Sequence, residues 1–179
     1  MSRKYLLGMV LASFLFAACS LSPEQAALVR SVELPDLALT NATYVLDRGE
    51  DHPLYIVAGY IALFDQTHKA LATSVTFTQR DDRGSVVLQG SADEATVDLQ
   101  SSDAQLRGSV TVERIDQQLL IEAQELKWVH EQQLLLSEGR EEVLITYEGN
   151  KRVRGTGLSV ELATSNVTFE RVLEGVVLP

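Results

Sequence analysis

The sequence holds a single cysteine, Cys19, among 179 residues. No disulfide can form within the chain, so any fold must stand on packing and hydrogen bonding alone. Basic residues are also few, 15 Lys and Arg against 25 Asp and Glu. That balance excludes nucleic acid as a partner, because binding it needs basic surface that displaces counterions. It equally disfavours a domain lying flat on an anionic bilayer. No long segment carries an apolar stripe of helical period. Catalytic patterns are missing as well: there is no nucleophile elbow, phosphate loop or HExxH. The three histidines, His52, His68 and His130, fall in expected turns without the spacing of a zinc site. Asp81-Asp82 and Glu141-Glu142 read as solvated turns, and Lys151, Arg152 and Arg154 as charges on a strand. The expectation is a protein that is not an enzyme and uses no cofactor and no metal.

What is there begins with an export signal. Arg3 and Lys4 precede an apolar stretch from Leu6 to Phe16, followed by Ala17-Ala18 and then Cys19. The stretch is short for a membrane span, and polar residues follow it at once. Leu15-Phe16-Ala17-Ala18-Cys19 resembles the lipobox of bacterial lipoproteins, with Phe16 where Leu is usual. Residues 1–18 are therefore expected to be a cleavable signal, Cys19 the lipidated residue, and 19–33 a tether. An ordinary signal peptide cut near Ala18 and an uncleaved helix remain the alternatives. Without Arg3 and Lys4 the mature chain has 13 basic against 25 acidic residues, a formal charge of −12.

From Leu34 onward the pattern has period two. Short apolar runs such as Leu54–Ala58, Val75–Thr78, Val86–Gln89, Ala95–Leu99, Leu106–Val112, Leu119–Ala123, Val143–Tyr147, Leu158–Leu162 and Val167–Phe169 alternate with Gly, Asn, Asp and Ser. These are strand signals separated by turn signals. A repeat underlies them. Ala58, Gly90, Ala123 and Gly155 end matching strand patterns 32, 33 and 32 residues apart, and polar turns follow each, at 65–68, 100–103, 130–133 and 163–166. A strand–turn–strand unit with a small residue at a fixed place predicts an all-β jelly roll over 34–179.

Alternating apolar positions predict one continuous face. Its expected members are Leu54, Ile56, Leu63, Val86, Leu88, Val97, Leu99, Leu106, Val110, Ile121, Leu126, Trp128, Leu134, Leu136, Leu158, Val160, Val167 and Phe169. Such a face either fills a closed core or lines a groove for acyl chains between splayed sheets. Alternation alone does not choose between them.

Leu54–Ala58, Asp103–Val112 and above all Val153–Leu162, with its Gly155-Thr156-Gly157-Leu158 turn and the following Asn166–Phe169, resemble the LptC family. These are membrane-tethered periplasmic components of the lipopolysaccharide exporter. The resemblance spans roughly 34–178 and implies a twisted, open β-jelly roll of the OstA-like kind. It implies a bridge that accepts lipopolysaccharide, or a similar glycolipid, from an inner-membrane ABC transporter of the LptB2FG kind at its N-terminal edge. An LptA-like soluble protein would take the lipid at the C-terminal edge, beside the turn containing Gly155 and Gly157. Better-known members use an uncleaved helix where this sequence offers Cys19. The other reading is an envelope lipoprotein of structural or chaperone type, with a filled core and no lipid cargo.

Overall fold

A computed structural model describes residues 34–48, 51–148, 151–162, 164 and 166–176. The signal, Cys19 and the tether lie outside the described residues. Ten strands are present: β1 (Leu37–Arg48), β2 (Asp51–Phe64), β3 (Lys69–Arg80), β4 (Val86–Asp98), β5 (Ala104–Arg114), β6 (Leu119–Val129), β7 (Leu134–Leu136), β8 (Val143–Tyr147), β9 (Lys151–Glu161) and β10 (Asn166–Val176). They form one antiparallel sheet in the order β1-β2-β3-β4-β5-β6-β7-β9-β10. β8 pairs with β6 and β9, as β7 does, so the two act as halves of one broken strand. The all-β jelly roll expected from the sequence is the fold observed.

The strands are longer than the sequence pattern suggests. Val86–Gln89 and the run beginning at Ala95 are one strand, β4, which continues through the polar residues between them. The reason is a bend in place of a turn. Asn41, Ser74 and Ser109 have φ of 49°, 52° and 46°, and Gly108 and Gly157 have 72° and 64°. A residue in the left-handed region breaks the pleat and redirects the strand. The ladder places these residues on one line. Asn41 faces Gly59 between the pairs Thr40–Tyr60 and Ala42–Ala58. Ser74 is passed over between Thr73 and Val75. The register then shifts between Ser91 and Glu94 on β4 and between Arg107 and Val110 on β5. Gly157 is passed over between the pairs Thr156–Arg171 and Leu158–Phe169. The sheet is creased along this line, and its two halves face each other across a shared interior.

The 32-residue repeat marks the inside of the crease. Ala58 and Ala123 are buried there. A Cβ on Gly90 would strike the Phe77 ring and the Thr111 carbonyl; on Gly155 it would strike the Phe169 ring and the Arg171 carbonyl. Each repeat is one hairpin, so the polar turns at 65–68, 100–103 and 130–133 gather on one rim of the roll. The turns at 81–85 and 115–118 form the opposite rim. On the first rim the Asp98 carboxylate accepts the amides of Gln100 at 2.9 Å and Ser101 at 3.0 Å. The Ser101 and then the Gln100 backbone bonds hold its carboxyl below the ordinary 3.8.

Two outcomes are expected. Gly155→Leu should cost about 1–3 kcal/mol through overpacking against Phe169. Gly175→Ala, which meets open space, should stay within about 0.5 kcal/mol; urea unfolding of the full chain measures both. Asp98 has a depressed folded-state value, so its contribution is present above the unfolded carboxylate range and vanishes as pH falls through the folded value. Asp98→Asn should therefore lower stability at pH 7 and change it little at pH 2, as read by thermal unfolding at the two pH values. Equal losses at both would contradict this account of the turn.

Candidate functional site: an apolar cavity between the half-sheets

Inward-facing side chains from both sides of the crease enclose a cavity of about 170 Å³. β1 and β2 supply Tyr44, Leu46, Leu54, Ile56, Ile61 and Leu63, from positions on either side of the Asn41–Gly59 bend. β3 and β4 add Ala70, Ala72, Phe77, Leu88, Ala95 and Val97, and β5 adds Ala104, Leu106 and Val112. Leu99, Ser102, Trp128, His130 and Leu162 stand at the first rim, with Leu135 of β7 behind them. The lining is almost wholly apolar, the chemistry of a dry cavity that takes an apolar guest; an apolar cavity of about 150 Å³ is enough to hold a benzene-sized molecule.

The interior is not uniform along the sheet. Beyond β5 only the first-rim side stays open, at Trp128, His130, Leu135 and Leu162, and the rest closes. Val110, Ile121, Leu126, Val143, Ile145, Leu158 and Val160 are each no more than 2% exposed and fill the space between β5, β6, β8 and β9. Of the face expected from the sequence, Leu54, Ile56, Leu63, Leu88, Val97, Leu99, Leu106 and Trp128 line the cavity. Val110, Ile121, Leu126, Leu158 and Val160 sit in the closed half. Val167 and Phe169 pack against the core near the β10 edge, and Val86 is half-buried at the start of β4. On β7 the inward residue is Leu135, in register with Trp128 and Val160, while Leu134 and Leu136 flank it. Three consecutive leucines carry no alternation, so their facing is illegible from sequence. Gly155 and Gly157, expected in a turn at the edge, lie instead inside β9, which is paired on both sides: Gly155 under the Phe169 ring and Gly157 opposite Glu170 of β10, which a Cβ at Gly157 would strike.

On the second rim the lining reaches Val112 of β5, two residues before one charged side chain. Arg114, at the end of β5, lies in the ladder between Leu88, which lines the cavity, and Leu119, which belongs to the closed half. Its Nη1 donates to the Leu162 carbonyl on the opposite rim at 2.9 Å. Its Nε and Nη2 donate to the two Asp116 carboxylate oxygens at 3.1 and 2.9 Å. The hydrogen bonds from Arg114 are the main reason that the Asp116 carboxyl lies below its ordinary value.

Other charges are engaged among themselves. Lys151 pairs with Glu148, stands 5.7 Å from the centre of the Tyr147 ring, and has its ammonium value raised chiefly by the Glu148 hydrogen bond. Arg154 reaches Glu142 at 3.9 Å. Asp81 accepts the amides of Arg83 and Ser85 in its own turn. His52 lies 3.6 Å from Asp82. Among the described residues, no cluster of His, Cys, Asp and Glu is arranged to hold a metal ion.

β1 and β10 are the two ends of the sheet path. The β1 edge exposes Leu37, Leu39, Tyr44 and Val45, and the β10 edge exposes Val172 and Leu173.

No family model matches the chain, and no curated protein matches it by sequence. Solved structures do match. One is the crystal structure of LptH from Pseudomonas aeruginosa, described as the LptA-homologous periplasmic component of the conserved lipopolysaccharide transport device. It is 15% identical, with a TM-score of 0.56, over 72% of this chain and 96% of that one. The fold is therefore similar to the LptA-type jelly roll.

Proposed function

We infer that this is a non-enzymatic, membrane-tethered carrier of acyl chains in a lipopolysaccharide-export bridge, in the role that LptC proteins fill. The observation that carries the reading is the apolar cavity held between the two halves of an LptA-like roll. Such a cavity gains about 0.8 kcal/mol for every methylene it takes from water, without any polar partner. Sugars and phosphates would stay outside, in keeping with a lining that offers no cluster of basic residues.

The sheet ends suggest the direction of travel. Terminal strands offer backbone groups that a neighbouring sheet can pair with by strand addition. In this reading the β1 edge meets the ABC transporter and the β10 edge meets a soluble jelly-roll bridge. Gly157 keeps β10 seated, since its φ of 64° suits glycine and a side chain there would push on Glu170. Lipid on Cys19 would hold the domain in the periplasm at the inner membrane. The closed half from β6 to β9 favours a second reading, an envelope lipoprotein whose core is simply filled and carries no cargo.

Photo-crosslinking separates the two. A benzophenone amino acid at Leu54, Leu99 or Trp128 in cells should capture lipopolysaccharide or a related glycolipid, while one at Thr76, exposed on the outer face, should not. Capture of protein neighbours alone from all three cavity positions would reject lipid cargo. For the anchor, Cys19→Ala should release or mislocalise the protein on fractionation; unchanged membrane retention would point to an uncleaved helix.

A further inference from the structure

The crease brings the two rims together, and whatever spans them sets how far the interior extends. Arg114 spans them at the boundary between the open and the closed half. Its partner Leu162 is 48 residues away on the opposite rim, and the bond is a partly buried one of 2.9 Å. Its side chain is 19% exposed, and Asp116 holds it from below through two nitrogens. Paired donors on one carboxylate fix the plane of a guanidinium as well as its place. The free nitrogen is thereby aimed across the slit at a carbonyl, not left to swing in solvent.

We propose that Arg114 determines the acyl-chain length the cavity accepts, by strapping the two rims at Leu162, the last residue of the chain to line the cavity. The inference rests on the acyl-carrier reading and goes beyond it. A chain entering from the β1–β4 side would run between Leu54, Leu88 and Leu106 and meet the strap at Leu162, which lines the cavity and accepts from Arg114. Charge is the obstacle: a methylene laid against a hydrogen-bonded guanidinium would have to displace the Leu162 carbonyl, leaving a partly buried acceptor without its donor. Onward movement toward β10 therefore requires the strap to open, and Asp116 sets how readily it does so. Removing it joins the cavity to the rim of the closed half.

Native mass spectrometry of the full chain, released from detergent and offered saturated fatty acids of eight to eighteen carbons, tests this. In the wild type, binding should rise with length and then level off, once the chain fills the space up to Arg114. Arg114→Leu should move that plateau to longer chains. Each further methylene buried is worth roughly fourfold in affinity, so two give about fifteenfold. Asp116→Asn keeps Arg114 but loosens its hold, and should shift the plateau in the same direction by a smaller amount. It also keeps the test alive if Arg114→Leu does not fold. A plateau unchanged in a folded variant overturns the strap alone. Absence of fatty-acid binding to the wild type at every length overturns the acyl-carrier reading, and the strap with it.

Discussion

The structure depends on a line of bends. A flat antiparallel sheet of strands eleven to fourteen residues long would expose one apolar face entirely. Bending every long strand at the same level turns that face on itself. The constraint is collective, because a strand that ran straight through would pull its neighbours out of register on one side of the bend. The residues on the line are those that tolerate left-handed or bulged backbone: Asn41, Gly59, Ser74, Gly108 with Ser109, and Gly157. Between β6 and β9 the strand is cut, and β7 and β8 share the place of one. Ser137, in that cut, keeps the sheet joined by giving its amide to the Leu158 carbonyl and accepting the Leu158 amide on its hydroxyl, each at 2.9 Å.

The crease also governs what could be read from the sequence. Strand identity was legible because period-two alternation is local, and the repeat was legible because each hairpin carries one small residue on the inner side of the bend. Strand length was not. Polar residues inside β4, Ser91 to Glu94, carry the same signal as a turn, since turns and bulges recruit the same residue types. The facing of residues past a bend was hidden for a related reason. Ile56 and Ile61 of β2 both point into the cavity although five positions separate them, because Gly59 resets the alternation.

The cavity was legible only in part. Large aliphatic residues announce an inner face, whereas the alanines that leave room for a cavity do not. Ala70, Ala72, Ala95 and Ala104 all line it; across the ladder, Ala72 and Ala95 pair directly. The closed half takes Ile121, Leu126, Ile145 and Leu158 at equivalent depth, and there the space is filled. Side-chain volume, set row by row, thus divides one continuous apolar face into a packed half and an open half. Alternation reports which residues point inward; it does not report whether they meet.

An open half forgoes packing that the closed half has. Protein interiors are packed to crystal-like density, and apolar side chains that line unfilled space forgo packing contacts that their counterparts in the closed half make. Replacing Ala72 and Ala95 by larger residues would recover many of them, and the sequence shows elsewhere, at Ile121 and Leu126, that this roll can be filled. An acyl chain would make the same contacts, at ~0.8 kcal/mol for each buried methylene. Room of that kind, bounded by small side chains in the half next to the exposed β1 edge, is the feature on which the acyl-carrier reading rests.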